Sequence, residues 1–295
     1  MHFARSLAVV LLSVAACRPG DAEQDAAPPP AAPVALAPLS APPSSLMPVP
    51  GHANAVLVSP VGATRPMPLV VAVLGIGDTP ESQCAVWREL VGQRAFVVCP
   101  RFTPHYVPVQ QEGANAGQGI LSLLGLQGPD TPSADPSSGA VVQSGFRPTE
   151  VPEVEREIDA AVAALRKIFP KYVAPGPALY IGFSRGAFLG ATLVAKSPSK
   201  YARAILIEGG QTGWSDAAAA GYAKGGGKRV LFACGQPSCV AESDPAAQLL
   251  ARAAVPSRVV LGDGEGHGYK GPVKDQVRAA LDWVLDGDTA WKATR

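Results

Sequence analysis

The sequence predicts an α/β fold in which helices cover both faces of a mostly parallel central sheet. Two features carry that expectation. From about residue 52 onward, short β-rich runs alternate with stretches of helical periodicity, and that alternation is the mark of strands joined by crossover helices. One apolar run, Leu179-Tyr180-Ile181, passes through Gly182-Phe183-Ser184-Arg185-Gly186 straight into a small-residue helical stretch. The formal net charge is only +1, so nothing draws the chain to nucleic acid or an anionic surface.

The first residues read as an export signal. His2 and Arg5 form a polar head, residues 7–15 an apolar core too short to span a bilayer, and Val14-Ala15-Ala16-Cys17 the end. That ending resembles the lipobox of bacterial lipoproteins, which implies that Cys17 is acylated and faces the periplasm or cell surface; an ordinary secretory signal is the alternative. Residues 18–51 are rich in Pro and Ala, with Pro28-Pro29-Pro30 and Pro42-Pro43 and no hydrophobic period. They are expected as an extended tether, leaving residues 52–295 as the folded domain.

Within that domain the strands are expected at residues 55–58, 69–74, 95–99, 178–181, 204–207, 229–233 and 258–261. Val154, Ile158, Ala161, Leu165 and Ile168 recur at helical spacing, behind acidic residues that suit a helix N-terminus. Asp244-Pro245 is read as the start of a helix reaching Ala253, with Asp244 as its cap, and Val273, Val277, Leu281 and Val284 stripe the last helix. Residues 101–147, rich in Gly and Pro, interrupt this rhythm. They are expected as an irregular insertion, either a lid or binding element over the site or a plain surface excursion.

Apart from Cys17 the chain has Cys84, Cys99, Cys234 and Cys239, an even set that suits an oxidising compartment. The local pairs Cys84–Cys99 and Cys234–Cys239 are expected as disulfides. A metal site is the competing reading, but there is no CxxC pair and no histidine cluster beside them.

The chemistry centres on Ser184. In a GxSxG turn between strand and helix, flanking glycines leave room for a sharp elbow that projects the serine; a structural Gly-Ser turn is the plainer reading. A serine hydroxyl needs a base, and a base needs an orienting carboxylate. His2, His52 and His105 lie in the signal, at the domain entrance and in the insertion, whereas His267 follows the last strand in Gly264-Glu265-Gly266-His267-Gly268. Elbow and histidine together resemble the α/β-hydrolase superfamily, over most of the chain beyond the first fifty residues.

That resemblance implies a serine hydrolase, most simply a carboxylesterase, working through an acyl-enzyme on a small-molecule or polymer ester, without metal or organic cofactor. Peptidase activity is a further option. It also implies oxyanion donors at the backbone N–H groups of Arg185 and Ile76. The protein is expected as a monomer, held at a membrane through the lipid on Cys17. The acid departs from the family's common pattern, because Cys234-Gly235-Gln236-Pro237-Ser238-Cys239 offers no carboxylate. Glu208, closing the apolar run Ile205-Leu206-Ile207 ahead of two glycines, ranks first. Glu242, Asp263, Glu265 and the capping candidate Asp244 stay open. The missing acid also leaves open a surface lipoprotein that kept the fold for binding a partner or cell-wall component and lost catalysis.

Overall fold

A computed structural model describes residues 35–102 and 150–294. The export segment with Cys17, and nearly all of the expected insertion, lie outside the described residues. Among the described residues, the strands are β1 (Ser44–Met47), β2 (Ala55–Val58), β3 (Leu69–Val73), β4 (Phe96–Cys99), β5 (Leu179–Phe183), β6 (Arg203–Ile207), β7 (Arg229–Cys234) and β8 (Ser257–Leu261). They form one sheet in the order β1-β2-β4-β3-β5-β6-β7-β8. β1 and β2 enter antiparallel, and every pairing from β4 to β8 is parallel.

The helices are α1 (Pro80–Val91), α2 (Val151–Ile168), α3 (Arg185–Lys196), α4 (Asp216–Lys224), α5 (Pro237–Arg252), α6 (Gly271–Leu285) and the short α7 (Thr289–Lys292). They divide between two apolar layers. Val154, Ile158 and Leu165 of α2, Leu189 and Leu193 of α3, and Leu250 of α5 pack on one face with Tyr180, Leu206 and Phe232. Trp87 of α1, Val273, Val277 and Leu281 of α6, and Trp291 of α7 pack on the other with Ile181, Ile205 and Leu231. Successive strand residues thus feed opposite layers, which explains why the parallel strands read as continuous apolar runs rather than alternating ones. Each fully buried leucine or isoleucine here contributes about 1.5–3 kcal/mol by leaving water.

Local chemistry sets the ends of the elements that carry the site. Thr79 caps α1 by accepting the Ser82 N–H at 3.2 Å, with Pro80 next in the first turn. The disulfide Cys84–Cys99 ties α1 to the end of β4, and Cys234–Cys239 ties the end of β7 to the first turn of α5.

Three expectations need correction. The tether does not run to residue 51, because residues 44–47 form β1 and Leu39, Met47 and Val49 are buried. Proline on its flank hides this strand from a sequence reading, yet an edge strand tolerates proline at its end. The helix expected from Asp244 begins instead at Pro237, so Asp244 is not its cap and Pro245 lies inside it. Pro237 occupies the first turn, where a missing N–H costs nothing. Finally Ile168, the last residue of α2, is half exposed rather than part of the buried stripe.

Candidate active site

Ser184 stands at the junction of β5 and α3 with φ 50° and ψ −116°. Its N–H donates to the Ile207 carbonyl at 2.8 Å, continuing the β5–β6 ladder one step past the strand, and the chain then turns into the helix. The glycines on either side are required by closeness. A Cβ on Gly182 would lie 2.4 Å from the Gly186 carbonyl oxygen, and one on Gly186 would lie 2.1 Å from that of Val73. Strand, turn and helix therefore touch backbone to backbone, and the serine side chain is the part left to project.

His267 sits in the loop between β8 and α6. Its Nε2 is 2.8 Å from Ser184 Oγ, and its Nδ1 is 3.2 Å from Glu208 Oε2. An ionised carboxylate only accepts, so the proton belongs on Nδ1 and Nε2 is left to accept from the serine hydroxyl. The ring also lies 5.4 Å from Phe183, whose other neighbour, Tyr269, is 4.7 Å away, centroid to centroid. Tyr269 reaches α1 through a 3.3 Å hydroxyl contact with Ser82, and burial pushes its phenol above the ordinary value, so it stays a neutral O–H.

Glu208 follows β6 as Ser184 follows β5, and its side chain is only 2% exposed. A buried carboxylate needs donors, and it has them in the Gly235 N–H on Oε1 and Gln236 Nε2, 3.2 Å from Oε2. The loop carrying these donors also supports the histidine loop. Gly262 N–H donates to the Cys234 carbonyl at 2.7 Å and Gly266 N–H to that of Gly235 at 3.1 Å.

Of the expected residues, the structure brings Ser184, His267 and Glu208 into one hydrogen-bonded line. Among the described residues, none of the other candidate carboxylates, Glu242, Asp244, Asp263 and Glu265, is bonded to His267. Glu242 accepts from Gln211 at 2.6 Å on the surface, Glu265 accepts the Lys270 N–H at 3.3 Å inside its own loop, and Asp244 lies within α5. Arg185 opens α3, so its N–H falls outside the helix's own ladder. Its guanidinium grips Glu150 through Nε and Nη2, at 3.2 and 2.8 Å. Ile76 is 64% exposed beside Gly75, where a Cβ would come within 3.0 Å of Ser184 Cβ. The backbone of that loop therefore abuts the serine. Gly235 and Gln236 escape a sequence reading because neither is titratable, and only their place between two cysteines marks them.

No protein-family model and no curated protein matches the sequence. Solved structures do. TT1662 from Thermus thermophilus superposes with a TM-score of 0.54 at 14% identity, over 83% of this chain and 98% of its own. Esterase PE8 superposes at 0.50 with 18% identity, over 82% of this chain and 100% of its own. The fold is that of the α/β-hydrolases. The same architecture recurs in FphF, a fluorophosphonate-binding serine hydrolase of Staphylococcus aureus, at 0.50 with 13% identity, over 82% of this chain and 96% of its own. In open α/β sheets sites form at the carboxyl ends of the strands, and Ser184 and Glu208 stand at those ends of β5 and β6. Likeness at these identities concerns the fold, and chemistry has to be argued from the site.

Proposed function

We propose that the protein is a serine hydrolase that cleaves esters through an acyl-enzyme, of the carboxylesterase type. The observation that carries this reading is the unbroken line from Ser184 Oγ through His267 to the buried Glu208. Ser184 Oγ attacks the ester carbonyl as its proton passes to His267 Nε2, and the ionised Glu208 stabilises the imidazolium. The oxyanion forms toward the N–H groups of Arg185 and Ile76. As the tetrahedral intermediate collapses, the C–O bond to the alcohol breaks and the alkoxide takes the proton from His267. Water, deprotonated by the same histidine, then attacks the acyl-enzyme and releases the acid and Ser184.

A buried carboxylate within reach of His267 also weakens the case for a fold kept only for binding, since that case rested on a missing acid. FphF is named for fluorophosphonate binding, and the same reagent class tests this chain. The full-length protein is expected to be labelled by a fluorophosphonate and to hydrolyse p-nitrophenyl acetate and butyrate, and Ser184→Ala to lose both. A folded wild type that neither labels nor turns over would sink the proposal.

The setting extends the reading. Two disulfides fit an oxidising compartment, and no helix among the described residues is long and apolar enough to cross a membrane. From these disulfides and the lipobox-like Val14-Ala15-Ala16-Cys17 we propose that the enzyme lies outside the cytoplasm, held by acyl chains on Cys17. Metabolic labelling with a radioactive fatty acid, lost in Cys17→Ala, is the expected result; unlabelled wild type would remove the anchor.

A further inference from the structure

We infer that Gln236, clasped by the Cys234–Cys239 disulfide, is a positioning residue that keeps Glu208 aimed at His267. The inference rests on the hydrolytic reading above and deepens it. Gln236 occupies the N-cap of α5 with extended backbone, φ −148° and ψ 149°, yet its side chain makes no capping bond. Caps favour Ser, Thr, Asp and Asn, whose short side chains reach back to the first free N–H groups. Glutamine serves the helix poorly there, and its amide is spent elsewhere. Nε2 donates to Glu208 Oε2 at 3.2 Å, the same oxygen that faces His267 Nδ1. A local rule set aside beside a reactive group points to that group as the reason.

The second observation is the surroundings of the acid. Because its side chain is 2% exposed, the charge is held by the protein's own donors rather than by bulk water. Besides His267, the donors that fix the carboxylate are the Gly235 N–H and the Gln236 amide. Both belong to the four-residue segment enclosed by Cys234 and Cys239, and the two sulfurs and a Glu208 carboxylate oxygen lie within 4.8 Å of one another. Gly235 admits no side chain, since a Cβ would lie 2.2 Å from the Gly266 carbonyl oxygen. The disulfide thus pins at both ends the segment that holds the acid and supports the base's loop.

A double-mutant cycle on the full-length protein tests this. Gln236→Ser removes the amide and supplies a hydroxyl of the right length to cap α5, so the new cap offsets part of the stability lost with the buried bond. With p-nitrophenyl acetate, kcat should fall by about tenfold or more, as expected for a lost bond to a charged group, with KM within about twofold. In a Glu208→Gln background the same change should cost less than about twofold, because the residue acts through that carboxylate. Gln236→Met, close in shape and unable to donate, should reproduce the loss if the serine variant folds poorly. Wild-type kcat in the glutamine variants, or an equal loss in both backgrounds, would overturn the inference. A folded wild type without labelling or turnover removes the hydrolytic reading, and the inference with it.

Discussion

Ser184 and Glu208 leave adjacent parallel strands with nearly the same twist, φ 50° at the serine and 51° at the glutamate. Each first extends the sheet by one bond, Ser184 N–H to the Ile207 carbonyl at 2.8 Å and Glu208 N–H to that of Ala233 at 3.0 Å. A side chain at such a φ is held against its preference, at a cost of about 1–3 kcal/mol that the surrounding structure must offset. Glycine escapes most of that cost. Ser184→Gly should therefore be more stable than Ser184→Ala by about 1 kcal/mol, the gain trimmed by the freedom glycine has when unfolded, although both lack the nucleophile. Equal urea midpoints for the two variants would mean that the elbow stores no strain.

The choice among carboxylates gives a second prediction. Glu208→Gln keeps the shape of the side chain but loses the charge that orients and stabilises His267, so kcat should fall by about three to four orders of magnitude. Glu242→Gln changes only a surface contact with Gln211 and should leave turnover within about twofold. Steady-state kinetics of the two variants decide the matter, and a large loss in Glu242→Gln alone would move the acid to Glu242 on α5.

Much of this site was legible because it is written in residue types that chemistry restricts. Ser184 is marked by its glycines, His267 by being the histidine that follows the last strand, and Glu208 by closing an apolar strand ahead of Gly209 and Gly210. The strands β2 to β7 are readable as apolar runs because both of their faces are covered, whereas β8, at the sheet edge, shows itself by Val259-Val260-Leu261 although it is only partly buried. What escaped was set by tertiary context. β1 is an edge strand whose Ser44-Ser45-Leu46-Met47 carries neither an apolar run nor a clear alternation. The start of α5 was misplaced because two prolines, Pro237 and Pro245, each look like a first turn, and only the packing around Cys239 distinguishes them. Gln236 was invisible because its role exists only once Glu208 stands beside it.

A third prediction concerns the packing under the elbow. Tyr180 is fully buried, its hydroxyl donates to the Gly186 carbonyl at 2.7 Å, and its ring fills the space where a Gly190 Cβ would sit 2.2 Å away. At Gly186 the obstacle is the Val73 backbone oxygen, at 2.1 Å. A ring can shift, whereas a paired strand in mid-sheet yields less. Gly190→Ala should cost about 1–3 kcal/mol as overpacking, and Gly186→Ala should cost more and slow turnover by displacing the serine. Urea unfolding with parallel assays checks the order, and a milder effect at Gly186 would contradict it.

The buried phenols set how the protein meets alkali. Burial pushes Tyr180, Tyr201 and Tyr222 above the ordinary range, with the Asp159 and Glu155 carboxylates adding to the effect at Tyr201. Tyr222 also donates to the Ala202 carbonyl at 2.7 Å and needs its proton to do so. In the unfolded chain these hydroxyls titrate near about pH 10. Their folded values are raised, so their contribution is fully present below that pH and is lost as the pH climbs toward those values. While the native state holds the protons that the unfolded chain releases, stability falls by about 1.4 kcal/mol per pH unit for each phenol. For these three together the slope is about 4 kcal/mol per pH unit, and Tyr269, whose phenol is raised in the same direction, steepens it further. Urea titrations from about pH 8 to about pH 11 should show a plateau and then this decline, with most phenolate absorbance appearing only on unfolding. Stability that stays level to about pH 11 would mean that these phenols ionise inside the folded protein.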